Sequence, residues 1–253
     1  MKAMIIPAAG RGTRLQYDGP KLLFPIKGKP LIEYLLRRYQ PYVDRFFIVI
    51  NPLDEDQVRT AIKSLDYPVE LGFQPEPTGM LDAIMAPFDM LCSQPVEQVW
   101  ITWCDQIGIT DKTAKAMSDY LIVTETPCLV FPTYHKPEPY IHLKRDECGT
   151  IVEVLHLREG DAMPEIGEND CGLFAMDGKT YVEDLKAFSD HGLEAMERQH
   201  GSAIGQQTKE RNFLPFIQWM GDRGNVVTYT AQGPFETVGI NTLEDAEVLA
   251  QSL

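Results

Sequence analysis

With 253 residues the chain is long enough to bury a substantial core, and its formal net charge of −14 excludes an electrostatic grip on nucleic acid or on an anionic membrane surface. An anionic ligand must therefore meet a local patch of cations. Five cysteines without a Cys-x-x-Cys pair read as the reduced thiols of a cytoplasmic protein, and no apolar run approaches the ~20 residues of a membrane span.

The first predicted element is a buried strand at Ala3-Met4-Ile5-Ile6, which Met1 and Lys2 enter without a signal-peptide layout. It leads into Pro7-Ala8-Ala9-Gly10-Arg11-Gly12-Thr13-Arg14 and then Gly19-Pro20-Lys21. Gly10 and Gly12 have no side chain to hold an anion away from successive backbone N–H groups, and Arg11, Arg14 and Lys21 supply cations. The stretch reads as a phosphate cradle, or as a basic, glycine-rich surface turn. Two better-known phosphate loops do not fit: Leu15 stands where the dinucleotide fingerprint needs its third glycine, and the Gly-Lys-Ser/Thr of the Walker loop is absent.

Leu31, Ile32, Leu35, Leu36 and Tyr39 recur at helical spacing, Arg45 to Asn51 reads as a second buried strand, Val58, Ala61, Ile62 and Leu65 mark a second helix, and Val69 to Phe73 a third strand. This alternation predicts parallel strands with right-handed crossovers. Gln74-Pro75-Glu76-Pro77-Thr78-Gly79 then stops the strand, and Ala83, Ile84, Phe88 and Leu91 mark a helix that Pro87 bends or ends. Ligands of open sheets gather outside the carboxyl ends of the strands, so this loop and the Gly10 loop should border one crevice. A fourth strand at Val99 to Cys104 ends in Asp105, an acid placed to hold a hard dication, although an Asp after a strand is also a common turn residue. A helix should follow from Thr110-Asp111 to about residue 122.

Beyond the strand-like Cys128 to Pro132, the runs Tyr140 to Lys144 and Thr150 to Leu155 flank Asp146-Glu147-Cys148-Gly149 and predict a hairpin. Residues 189–210 are polar and weakly periodic and read as a mobile loop or lid. Glu210 to Phe216 opens a further helix, Asn225 to Tyr229 is a last strand, and Thr242 caps a helix carrying Leu243, Ala246, Leu249 and Leu253. The five histidines show no zinc-site spacing, and no Gly-x-Ser-x-Gly elbow occurs.

The string A-A-G-x-G-T-R from Ala8 to Arg14, with P-K-L-L-x-P-I-x-G-K-P-L-I from Pro20 to Ile32, resembles the signature of the sugar-phosphate nucleotidyltransferases. The uridylyltransferase domain of the N-acetylglucosamine-1-phosphate enzymes is the nearest likeness. Segments 74–84, 103–105, 151–153, 168–174 and 239–241 keep that family's order. The resemblance implies an α/β, Rossmann-like, three-layer fold around a mixed, mostly parallel sheet, similar to GT-A folds, with a small β-hairpin substrate lobe. A single domain would span 1–253, residues 1–135 binding nucleotide and 136–253 binding acceptor, with the last strand and helix returning to the core. Without the hexapeptide-repeat acetyltransferase extension it would be a stand-alone transferase.

The implied reaction transfers a nucleoside monophosphate from UTP or dTTP to a phosphorylated acceptor, a sugar 1-phosphate, releasing pyrophosphate with Mg²⁺ as cofactor. By the same resemblance Ala8, Ala9, Gly10, Gly12 and Thr13 would bind the nucleotide, Gln74 and Gly79 would read its base, and Arg14, Lys21 and Asp105 would be catalytic. Asp105 and Asn241, in Gly239-Ile240-Asn241, would hold the metal. Tyr140, Glu153 and Asp170 fall at acceptor positions, and Arg158 is the nearest cation for an acceptor phosphate, or else a solvated loop charge. The chain departs from the family there: Pro139 and Ile141 replace glycines, no lysine follows Glu153, and Asp170 stands at the family's asparagine. These departures keep open a cytidylyltransferase for an alcohol phosphate or phosphonate, a molybdopterin-type nucleotidyltransferase, and a non-catalytic nucleotide sensor.

Overall fold

The structure is a computed structural model that describes residues 1–252 apart from 11, 124–127, 193, 196–207 and 209. Strands β1 (Lys2–Pro7), β4 (Arg45–Ile50), β5 (Val69–Phe73) and β6 (Gln98–Thr102) lie parallel in the order β5-β4-β1-β6. Among the described residues eight strands share this sheet. Beyond β6 come β11 (Leu173–Asp177), antiparallel to β6, and β7 (Leu129–Pro137), antiparallel to β11, and β10 (Ile166–Asp170) and β12 (Val226–Thr230) pair with successive parts of β7, antiparallel and parallel respectively. The sheet is thus mixed and mostly parallel in its first half.

Strands covered on both faces must be apolar at every position. In β1, Met4 and Ile6 enter one core while Ala3 and Ile5 enter the other, and Phe46, Ile48 and Ile50 of β4 oppose Phe47 and Val49 in the same way. The first face is covered by α1 (Leu31–Tyr39), α2 (Glu55–Lys63), α5 (Asp111–Val123) and α7 (Leu243–Ser252). On the second lie α3 (Met80–Met85), α4 (Phe88–Cys92), α6 (Pro215–Gly221) and two wide π-type turns, Thr180–Leu185 and Phe188–Gly192. Three layers result, as the spacing of apolar residues requires.

Pro87 ends α3, and α4 starts directly after it, since proline offers no N–H to continue the helical ladder. The expected hairpin is present as β8 (Ile141–Arg145) and β9 (Ile151–His156). Its turn is held by Asp146 Oδ1, which accepts from the N–H groups of Cys148 and Thr150, each at 2.9 Å. Arg145 fastens the hairpin to the sheet: its guanidinium makes two 2.7 Å bonds to the buried Glu168 and one of 2.8 Å to Thr228 Oγ1.

Two local features differ from the sequence reading. Pro25–Ile26 and Lys29–Pro30 form a small ladder, β2 and β3, across a turn in which Lys27 and Gly28 both take positive φ (46° and 78°), the geometry of a tight hairpin. The beginning of the expected mobile loop is helical at 189–192 because Phe188 packs between Phe216 and Trp219. Most of the rest of that loop lies outside the described residues.

Candidate active site

β1 delivers the chain to the carboxyl edge of the sheet, where Ala8 N–H still bonds Val49 O at 2.7 Å before the path leaves the ladder. Ala8 and Ala9 are buried and Gly10 is exposed. A Cβ on Gly10 would meet nothing within 4 Å, so packing does not require glycine there. Gly12 is different. Its φ of +55° is left-handed, and a Cβ would stand 3.1 Å from Lys21 Cβ. The short turn Thr13–Leu15 closes with Leu15 N–H on Gly12 O at 3.0 Å and buries Leu15, which folds the loop back over Lys21. Arg11 lies outside the described residues.

Lys21 is where distant segments meet. Its Nζ is ion-paired with Asp105 Oδ2 and donates to Asn241 Oδ1 at 3.2 Å, and Arg14 Nη2 donates to that same Asn241 oxygen at 3.0 Å. The Lys21 and Asp105 side chains are only 11% and 15% exposed, so their charges act through a medium far less screening than bulk water. β6 ends at Thr102, two residues earlier than the sequence reading placed its end, and Asp105 lies in the turn just beyond it. Ile240 N–H bonds Asp105 O at 3.2 Å, and a Cβ on Gly239 would stand 3.2 Å from Asp105 Oδ1, so the 239–241 segment lies flush against the acid. Asn241 is held from the other side by Thr242 and Asp245, which cap α7 reciprocally: Asp245 Oδ2 accepts from Asn241 and Thr242 N–H at 2.9 and 2.8 Å, and Thr242 Oγ1 from Asp245 N–H at 3.2 Å. Next to Asp105, burial pushes the Cys104 thiol up to about 12, which leaves it neutral.

The sequence reading missed Glu236. It is fully buried, yet its carboxylate is saturated: Oε1 accepts from Thr110 N–H at 2.8 Å and Thr113 Oγ1 at 3.0 Å, and Oε2 from Thr113 Oγ1 at 2.7 Å and Gln232 N–H at 3.0 Å. Its backbone carbonyl accepts from Gln106 Nε2. Glu236 therefore joins the start of α5 and the loop after Asp105 to the segment that carries Asn241. An acid next to Phe235, with Thr110 and Thr113 flanking a predicted helix start, was the available signal.

At the end of β5, Gln74 is nearly buried and its Nε2 donates to Gly79 O at 2.9 Å and Thr78 Oγ1 at 3.2 Å. Both amide donors are thus engaged within the loop, which leaves the carbonyl side of the amide for a ligand. An open depression of about 450 Å³ lies here, lined by Phe73, Gln74, Glu76, Thr78 and Asp82 among others.

The acceptor candidates are not gathered by direct contacts. Glu153 pairs with Lys144 across the hairpin at 2.8 Å, both exposed, Tyr140 sets its ring edge-on to His156 with centroids 5.1 Å apart, and Arg158 pairs with Glu210 at 3.3 Å. Asp170 is buried at the turn into β11, where its Oδ1 accepts from Gly172 N–H at 2.7 Å and desolvation raises its carboxyl to about 6. Gly172 packs against Trp103, two residues before Asp105, which puts this turn beside the Lys21 site. Among the described residues no helix is long and apolar enough to cross a membrane, and no group of three or more His, Cys, Asp or Glu forms a metal cluster.

Comparison with known proteins identifies the fold and the family. The chain is 27% identical to the bifunctional protein GlmU of Aquifex aeolicus over 97% of its own length and 51% of that protein's, and 30% identical to a GlmU of Thermus thermophilus over 81% and 46%. It thus spans about half the length of the curated relatives it matches. Among solved structures it superposes with a TM-score of 0.72 on a Bacillus anthracis protein assigned as a glucose-1-phosphate thymidylyltransferase, at 15% identity over 100% of this chain and 96% of that one. A nucleotidyl transferase from Methanothermobacter gives 0.63, at 16% identity over 100% and 97%. Residues 4–170 match the family model described as the MobA-like NTP transferase domain, and the chain belongs to that nucleotidyltransferase family.

Proposed function

We propose that the protein transfers a nucleoside monophosphate from UTP or dTTP to a sugar 1-phosphate, releasing pyrophosphate. The observation that carries this reading is the meeting of Lys21, Arg14, Asp105 and Asn241 at the carboxyl edge of β1 and β6, over a loop whose Gly10 leaves its backbone open to an anion. GlmU relatives along almost the whole chain and the thymidylyltransferase-like fold support a sugar phosphate as acceptor.

In the proposed reaction a phosphate oxygen of the acceptor attacks the α-phosphorus in line, and the bond to the bridging oxygen breaks as the new P–O bond forms. The acceptor is already ionised, so no general base is needed. Loop N–H groups at Gly10 and Gly12 with Arg14 hold the β- and γ-phosphates, and Lys21 neutralises charge growing on the α-phosphate. Asp105 and Asn241 offer a carboxylate and an amide oxygen converging on one cation, Lys21 Nζ, and this pair of hard oxygen donors suits Mg²⁺. Bound there, Mg²⁺ would supply charge neutralisation between the phosphates. Gln74, through its free carbonyl side, would meet a base donor such as the N3–H of uracil or thymine, with Gly79 closing that loop.

The test is pyrophosphate release by purified protein with each of UTP, dTTP, CTP, ATP and GTP against a panel of sugar 1-phosphates, alcohol phosphates and phosphonates. Turnover with UTP or dTTP and a sugar 1-phosphate is expected. The MobA-like family model and the buried Asp170 at an acceptor position favour keeping a second reading, a molybdopterin-type or alcohol-phosphate acceptor, which turnover confined to those compounds would establish. Triphosphate binding without release to any acceptor would instead identify a sensor.

A further inference from the structure

Arg211 reaches the base-reading loop from the other half of the chain. Its N–H donates to Thr78 O at 2.8 Å and its carbonyl accepts from Leu81 N–H at 3.0 Å, so its backbone brackets Gly79. Gly79 has a φ of +126°, and a Cβ there would lie 2.4 Å from both the nitrogen and the oxygen of Arg211. Glycine is therefore demanded at 79 by the close approach of the Arg211 backbone. The Arg211 guanidinium pairs with Asp82 in the first turn of α3 and donates to the carbonyl and, at 3.2 Å, to the hydroxyl of Ser189. Its flanks are tied elsewhere: Thr208 Oγ1 bonds Glu159 at 2.9 Å, Glu210 pairs with Arg158, and Asn212 lies 3.4 Å from His156 Nδ1.

We propose that Arg211 is a positioning residue for nucleotide selection, acting through Thr78 and Gly79 on the amide of Gln74. Thr78 and Gly79, whose hydroxyl and carbonyl engage Gln74 Nε2, lie in the turn that the Arg211 backbone clasps through Thr78 O and Leu81 N–H, and the guanidinium pins that backbone through Asp82 and Ser189, so its grip decides which way the amide faces. This deepens the proposed function and rests on it.

The experiment is calorimetric titration of the intact protein with UTP, dTTP, CTP and ATP, and with inorganic tripolyphosphate, which engages the phosphate loop alone. Arg211→Ala should weaken the preferred triphosphate about tenfold and bring the ratio of affinities between bases toward one, with tripolyphosphate affinity unchanged. Arg211→Lys should recover part of the ratio through Asp82. In a Gln74→Ala background Arg211→Ala should have no further effect on discrimination, whereas a role in general folding would add to it. An unchanged ratio, additive effects, or equal loss for UTP and tripolyphosphate would overturn the proposal. A wild-type protein that binds no triphosphate would overturn the proposed function itself, and this inference with it.

Discussion

Lys21 Nζ bonds both Asp105 Oδ2 and Asn241 Oδ1, partners 84 and 220 residues away in sequence. One ammonium thus ties the loop after β1 to the ends of two remote segments. Such a cation, little exposed and aimed where an α-phosphate would sit, should lower the barrier by about 3–4 kcal/mol, as preorganised donors do elsewhere. Lys21→Ala and Asp105→Asn are each expected to cut turnover by about 10²-fold or more while leaving the far-ultraviolet circular dichroism spectrum unchanged. Full turnover in both variants would remove the site from the mechanism.

Two glycines of the loop separate packing from ligand approach. Gly10→Ala adds a methyl into open space and should leave the melting temperature within about 1 °C, yet weaken triphosphate binding because that space is where an anion would approach the amides. Gly12→Ala meets Lys21 at 3.1 Å with a left-handed φ, so it should destabilise by about 1–2 kcal/mol and lower turnover as well. Thermal melts and UTP titrations of the two variants check the pair. A Gly10→Ala variant that binds UTP normally would mean that the loop does not hold phosphate.

Much of this was legible from local pattern. Continuous apolar runs such as Met4-Ile5-Ile6 and Phe46-Phe47-Ile48 can only be strands covered on both faces, and the Gly10 loop and Asp105 each announced a strand's carboxyl end. The meeting of Asp105 and Asn241 was legible only through motif order, since spacing carries no record of which segments return to which edge. Glu236 and Arg211 stayed hidden for a related reason. Their roles are set by partners 126 and 129 residues away, and a lone acid or arginine in sequence looks like any surface charge. The β2–β3 ladder was missed because two-residue strands have no period to read.

Glu236 makes a prediction separate from chemistry. Glu236→Ala would leave the N–H groups of Thr110 and Gln232 and the Thr113 hydroxyl without their acceptor in a dry site, at about 1–3 kcal/mol for each unsatisfied group. Urea unfolding should show a loss of about 3 kcal/mol or more for Ala and a smaller one for Gln, which keeps one oxygen. A loss below about 0.5 kcal/mol in Glu236→Ala would show that the network does not hold the 232–241 segment.

Asp170 ties stability to pH, and the sign follows from its burial. Desolvation raises its carboxyl from the ordinary 3.8 to about 6, so between those values the folded protein keeps a proton that the unfolded chain has lost. Its favourable contribution is therefore complete below pH 3.8 and disappears as pH climbs through about 6, above which the fold carries a buried, ionised carboxylate. Asp170→Asn retains an oxygen for the Gly172 N–H and has no charge to bury. The variant should match the wild type near pH 4 and exceed it by up to about 3 kcal/mol near pH 8, roughly 1.4 kcal/mol for each unit of the shift. Denaturant midpoints across that range provide the measurement. A gap that stays constant with pH, or that closes as pH rises, would mean that Asp170 ionises freely in the fold and that the turn into β11 is open to water rather than sealed beneath Trp103.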